Sequence, residues 1–387
     1  MIYLDNSATT RQDPSVTAEM IRCMEEDFGN PSSLHHAGLA AEKIMKEARR
    51  KVLSAVGQKD GELIFTSGGT EADNMAIFGG AKAMKRRGDR VVTTSVEHPA
   101  VLECFKELGS SGFEVIRLGV NRQGRLCHEE LEEAIDDRTV LVSMMHVNNE
   151  VGTIMPLEEA ARIIREKKSP ALLHCDAVQS FGKIDLPAFC DMISISGHKI
   201  HGPKGSGALW IRKGLNLPPL IFGGGQENGR RSGTENVPAI AGLGEAAKLA
   251  ERLRRGSFDK VEALRKRLLE GLKNEIEDLV LNGEEEVGSG AGCARPYILN
   301  VSFPGTRAEV ILHTLEQDGI YVSTGSACSS NKKDKSHVLK AMGCTDAESE
   351  GAIRFSFSFD NTDEEIDDAI DRTADAVKRF RELGTFR

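Results

Sequence analysis

Asp191-Met-Ile-Ser-Ile-Ser-Gly-His-Lys199 decides the fold of this chain, because an apolar run of strand length breaks at a glycine and leaves a lysine at the strand's end. Such a run belongs in a parallel sheet, whose strand ends open onto the crevice where α/β proteins bind ligands. Lysine is usually a solvated surface cation. A desolvated amine, however, can lose its proton and attack an aldehyde. Upstream, Ala171-Leu-Leu-His-Cys-Asp176 is a second short strand, ending on a carboxylate. Asp176 and Lys199 are therefore expected on neighbouring strand ends. An acid and an amine so placed are the pair that pyridoxal phosphate needs, one to keep the pyridine nitrogen protonated and the other to capture the aldehyde. Asp176 reads equally as the cap of a helix beginning Ala177-Val-Gln-Ser.

The same rhythm extends along the chain from about residue 60. Strand-like runs at 62–66, 90–94, 113–117, 140–144, 171–174, 191–195 and 207–211 alternate with amphipathic segments such as Leu157-Glu-Glu-Ala-Ala-Arg-Ile-Ile-Arg-Glu. That alternation predicts an α/β fold, a mostly parallel sheet flanked by helices. After Thr234-Glu-Asn-Val-Pro-Ala-Ile comes a long charged helical stretch reaching about Asp278 and expected to break near Gly256. Strand-like runs at 297–303, 320–323 and 352–357 and a helix after Thr362 then suggest a smaller α+β unit. The expected division places a large domain at 14–255 and a small one at 256–387.

A chain of 387 residues with 40% apolar content can bury a large core, and its formal charge of −9 argues against a dominant nucleic-acid or anionic-membrane surface. The eight cysteines are scattered, with no CxxC pair and no Cys/His cluster of the zinc type, so no metal site is expected. Met1-Ile-Tyr-Leu-Asp lacks the basic and apolar regions of a signal peptide, and no stretch approaches the roughly 18 apolar residues of a membrane span. The expected location is a reducing cytoplasm with free thiols.

Further motifs accompany the two strand ends: Phe65-Thr-Ser-Gly-Gly-Thr-Glu-Ala-Asp-Asn74, Glu97-His-Pro99, His146-Val-Asn-Asn-Glu-Val-Gly-Thr-Ile154, Asp176-Ala-Val-Gln179, Arg231-Ser-Gly-Thr-Glu-Asn236 and Ser323-Thr-Gly-Ser-Ala-Cys328. In this order, and from Asp5 to Phe355, the chain resembles the cysteine desulfurases of the NifS/IscS kind. The resemblance implies a fold-type I pyridoxal-phosphate transferase, with the first 13 residues folded back onto the small domain and two copies forming a homodimer. It implies conversion of L-cysteine to L-alanine, with the sulfur left as a persulfide on Cys328. An acceptor protein for iron-sulfur cluster assembly or tRNA thiolation would then take it. By the same resemblance Lys199 carries the cofactor aldehyde and His98 stacks on the ring and shuttles protons. Gly69, Thr70, Ser196 and His198 hold the phosphate, with Thr234 arriving from the partner subunit. Gln179 donates to the phenolic oxygen, Asn148 contacts that oxygen and the substrate carboxylate, and Arg354 grips the carboxylate.

Each of these residues also has a plainer reading. Thr70-x-x-Asp73 fits a capping box, Asn148-Asn149 fits a turn, His98 fits a structural strand end and Arg354 an exposed strand cation. Lys204 competes with Lys199, but Gly202-Pro-Lys-Gly is a turn that should point it into solvent. Gly69 stands where the family often has alanine, which is expected only to loosen the loop. Cys328 differs from the other cysteines in its small, polar surroundings, and Lys332, Lys333 and Lys335 would favour its thiolate. Rival functions are a fold-type I aminotransferase, a selenocysteine lyase, or a non-enzymatic scaffold on the same fold. The chain ends soon after its last helix, where housekeeping relatives usually carry a tail that helps dock the iron-sulfur scaffold, so the acceptor is left open.

Overall fold

The computed structural model describes residues 1–58, 60–288, 290–324 and 335–384. After a short strand β1 (Ile2–Tyr3), Asp13 accepts a hydrogen bond from the Ser15 N–H at 2.8 Å and Pro14 takes the first helical position, so that α1 (Pro14–Glu25) starts there. α2 (His36–Val56) ends where Gly57 turns left-handed at φ 73°. The chain then alternates through β2 (Gly61–Thr66), α3 (Gly69–Met84), β3 (Arg90–Thr94), α4 (Pro99–Ser110), β4 (Glu114–Leu118), α5 (His128–Ala134) and β5 (Thr139–Met145). α6 (Leu157–Glu166), β6 (Leu172–Asp176), β7 (Met192–Ser196) and β8 (Gly207–Arg212) follow.

These strands form one sheet in the order β2-β8-β7-β6-β5-β3-β4, in which β8 runs against the other six. All seven residues of β5 are buried, as expected of a central strand covered on both faces. One apolar cluster, including Ile77, Phe105 and Leu141, packs under α3 and α4. The other, including Val52, Ile163 and Ile195, lies under α2 and α6. The parallel strands all end at one edge, and the loops that leave it carry the candidate site.

α7 (Val237–Glu275) contradicts the expected break near Gly256 by running through it as one helix. A glycine inside a helix costs about 1 kcal/mol relative to alanine. Burial on both sides outweighs that: Leu243 and Ala247 pack into the large apolar cluster, while Val261, Leu264 and Leu268 pack into a separate one. The expected boundary at 255/256 thus falls within a continuous helix.

Beyond α7 come β9 (Val280–Asn282), β10 (Ile298–Ser302), α8 (Ala308–Gln317), β11 (Ile320–Tyr321), α9 (His337–Ala341), α10 (Asp346–Glu350), β12 (Ala352–Ser356) and α11 (Asp363–Gly384). β12, β10 and β9 form an antiparallel sheet, and β1 pairs in parallel with β11. β9 was too short to register in the sequence. Leu4 joins the same apolar cluster as β10 and α11. Among the described residues no helix is long and apolar enough to cross a membrane.

Candidate active site

A cavity of about 750 Å³, open to solvent, lies at the carboxyl ends of the parallel strands. At one end stands α3. Gly68 is its N-cap and offers no side chain, so Thr70 is the second helical residue and the expected capping box does not form. Among the described residues the N–H groups of Gly69, Thr70 and Glu71 meet no acceptor. With the positive end of the helix dipole behind them, they make a cradle for an anion. Gly69, Thr70, Ser196 and His198 all line this cavity. A Cβ on Gly69 would come within 2.6 Å of the Val178 Cγ2, so glycine here makes room for a neighbour and does more than loosen the loop.

Asp176 and Lys199 line the same cavity from adjoining strands. The Asp176 side chain accepts from the Val178 N–H at 2.9 Å, so it caps the turn and faces the cavity together. Burial pushes its carboxyl up to about 6, against the pull of that hydrogen bond and of the Lys199 ammonium. Lys199 is 7% exposed, and its Nζ donates to the Ser7 and Ala8 carbonyls at 2.5 and 2.8 Å. Lys204, by contrast, is exposed. Gln179 donates through Nε2 to the same Ser7 carbonyl at 3.0 Å.

His98 caps α4, its Nδ1 accepting from the Ala100 N–H at 3.1 Å. A neutral ring in that role carries its proton on Nε2. Burial, then Lys199 and His337, push its pKa down to about 4, so the ring is neutral at physiological pH.

Asn148 departs from expectation. Its Oδ1 accepts from the Glu150 and Val151 N–H groups and its Nδ2 donates to the Val96 carbonyl at 3.0 Å, so the side chain is consumed by its own turn. Asn149 lines the cavity instead, and its buried Oδ1 has no partner among the described residues. Such an orphan costs about 1–3 kcal/mol and marks a place for a donor. Arg354 is no exposed cation: at 2% exposure it lines the cavity, donating to the Asp5 carboxylate at 2.8 Å and the Asn149 carbonyl at 3.0 Å. Its buried Nε is also without a partner among the described residues.

Thr234 is exposed and does not line the cavity of its own chain. Cys328, Lys332 and Lys333 lie outside the described residues. On either side of them, Ser323 bridges Arg354 through paired backbone hydrogen bonds, and Ser336 donates to Glu150 at 2.5 Å. Lys335 pairs with Asp346 and Glu350 at 2.9 and 3.2 Å.

This donor set fits pyridoxal phosphate: uncapped amides for a phosphate, a buried carboxylate for a ring nitrogen and a buried amine for an aldehyde. The aminotransferase class-V family model matches residues 2–368. The chain belongs to the class-V aminotransferase family. Among class-V aminotransferase relatives, it is 42% identical over 383 residues to the putative cysteine desulfurase IscS 1 of Bacillus subtilis, covering 98% of this chain and 99% of that protein. A solved NifS-like protein superposes with a TM-score of 0.88 at 40% identity, covering all of both chains. The structure of SspA in complex with cysteine superposes with a TM-score of 0.78 at 33% identity, covering 92% of this chain and 99% of that one. The fold is therefore that of the NifS-like branch of class-V aminotransferases.

Sequence reasoning missed Ser7, Ala8, Asn149 and Asp73 in this wall. The first two act through backbone carbonyls, which leave no trace in residue type. Asp73, which the capping-box reading had turned toward the helix, is buried beside Asp176, and burial followed by that neighbour raises its pKa.

Proposed function

We propose that the protein is a pyridoxal-phosphate-dependent cysteine desulfurase that converts L-cysteine to L-alanine and passes the sulfur on as a Cys328 persulfide. The observation that carries this is the convergence of Asp176, Lys199 and the uncapped start of α3 on one cavity, in a chain so similar to named cysteine desulfurases. When bound, the cofactor supplies an electron sink for the pair left behind by a departing α-proton. The amides of Gly69 and Thr70, with Ser196 and His198, hold its phosphate. Asp176 keeps the ring nitrogen protonated, and Gln179 donates to the phenolic oxygen. Lys199 would hold the aldehyde carbon, and its amine would carry a proton in the site. His98 covers the ring face. Arg354, a planar donor fork, takes the substrate carboxylate, and Asn149 replaces Asn148 as its second contact. The Cys328 thiolate would attack the substrate sulfur, so that an S–S bond forms as the C–S bond breaks, the C–S electron pair leaves with the substrate carbon, and a proton added there completes alanine.

Two copies complete the enzyme. Thr234 stands exposed, and Phe28, Leu34 and Phe222 expose 75%, 95% and 76% of their surfaces, apolar area that a second subunit would cover. A reducing cytoplasm would keep Cys328 a thiol, ready for an acceptor protein of iron-sulfur assembly or tRNA thiolation.

The test is to measure alanine and sulfide from L-cysteine with a reductant present. Equal amounts are expected, without any requirement for a keto acid. Cys328→Ser should keep the cofactor band yet release neither sulfide nor persulfide; sulfide at the wild-type rate from that variant would refute the assignment.

A further inference from the structure

A second cavity, of about 460 Å³ and open to solvent, shares Lys199 with the first and is lined also by Lys183, Ile200, Leu249, Ser257, Tyr297 and Phe357. Two amines meet at it in different surroundings. Lys199 donates to the Ser7 and Ala8 carbonyls at 2.5 and 2.8 Å, the acceptors that a buried ammonium needs. Lys183, half-buried, finds among the described residues one acceptor, the Gln179 Oε1 at a long 3.4 Å, and its Nζ lies 5.7 Å from the centre of the Tyr297 ring. No carboxylate among the described residues pairs with it: Asp185, two positions on, holds Arg254, and Asp13 and Asp360 bear on His201. The titratable and charged groups that face it are Lys199, His198 and His201 after β7, Arg354 from β12, and Tyr297 before β10, and none of them is negative at neutral pH. Lys199 is therefore the ammonium and Lys183 the amine that gives up its proton, in keeping with burial, then Lys199 and Arg354, pushing Lys183 down to about 7.

An uncharged amine against apolar walls and next to cations is a nucleophile in a place that lacks an anion. The Ser257 and Tyr297 hydroxyls share one hydrogen bond at 3.0 Å, which leaves one O–H of the pair to donate to such an anion. We propose that Lys183 is a modification site: its amine takes up carbon dioxide reversibly as a carbamate, which supplies the negative charge that this cavity lacks. In that step the nitrogen lone pair attacks the carbon and an N–C bond forms, one C=O pair moves onto oxygen, and a proton leaves the nitrogen for water. Nothing is oxidised or reduced. Carbon dioxide is small and uncharged, so it passes apolar walls that would exclude bicarbonate. Attraction to the Lys199 and Arg354 charges then holds the product.

The test is to equilibrate the full chain as purified with carbon dioxide and bicarbonate labelled with carbon-13, trap carbamates with a trialkyloxonium salt, and locate them by peptide mass spectrometry. A stable alkyl carbamate is expected on Lys183, with a matching carbon-13 NMR signal that Lys183→Met and Lys183→Arg abolish. At fixed dissolved carbon dioxide, below saturation, its occupancy should rise about tenfold or more between about pH 6 and pH 8, because the amine must first lose its proton. The exposed α-amine of Met1, which also reacts in its free form, is the internal comparison. Label confined to Met1, or found on Lys199 in place of Lys183, overturns the inference, as does an NMR signal that survives in folded Lys183→Met. Trapping on the wild-type chain decides the matter even if a variant fails to fold.

Discussion

Asn148 and Asn149 carry identical side chains on consecutive residues, yet one is spent on its own turn while the other looks into the cavity. The motif announces an asparagine at this strand end, but which of two neighbours turns inward depends on the turn's register. The Val96 carbonyl, from outside the motif, and the Glu150 N–H within it set that register. Asn149→Ala is expected to lower kcat/KM for L-cysteine about 10- to 100-fold, the loss of one buried hydrogen bond to substrate, with thermal stability little changed. Asn148→Ala should do the reverse, costing about 1–3 kcal/mol in unfolding experiments because two N–H groups and a carbonyl lose their partner. Equal kcat/KM for wild type and Asn149→Ala would remove Asn149 from the site.

α3 shows the limit at the next scale. Thr70 and Asp73 have capping-box spacing, and local sequence favours that use. The helix instead starts two residues earlier, on a glycine, and leaves its first amides for a ligand. The reason lies across the sheet in Val178, which occupies the space a side chain at position 69 would need. Gly69→Ala is therefore expected to destabilise the protein by about 1–3 kcal/mol and to weaken pyridoxal phosphate binding, and a simultaneous Val178→Ala should restore most of both. Urea unfolding and cofactor titration of the single and double variants measure this. A neutral Gly69→Ala would mean that the valine moves aside without cost. The seven strands of the large sheet, by contrast, were legible almost residue by residue, because their periodicity is local.

For the molecule as a whole, buried ionisable groups tie stability to pH. Glu97 is fully buried, and burial pushes its carboxyl up to about 8 while Thr94 and the Met145 N–H hold its oxygens. In the folded protein it keeps a proton that an unfolded glutamate loses above about 4.5, so its contribution is present at low pH and is lost as pH rises toward 8. His98, His146 and His174 act oppositely: burial holds them at about 4, 4 and 3, so their contribution is present above about 6.5 and is lost as pH falls toward 4. Lys183, lowered to about 7, also favours the folded state increasingly above that pH. Between pH 6.5 and 8 Glu97 thus works against stability. Cofactor-free Glu97→Gln should gain about 2 kcal/mol relative to wild type over that interval, measured by chemical unfolding at both ends. An unchanged difference would mean that Glu97 ionises in the folded state as it does in water.

The amino-acid order alone determined the alternating sheet, the amine and carboxylate at adjoining strand ends, and the family, because strand period and strand-ending residues are properties of short segments. The family resemblance implied that the first residues fold back, but only the tertiary structure decided that they place the Ser7 and Ala8 carbonyls on Lys199 and the Asp5 carboxylate on Arg354. Those contacts join residues nearly 200 and 350 positions apart. Backbone carbonyls are common to every residue type, and the pairing of charges so distant in sequence follows from burial in a shared core, which no local pattern encodes.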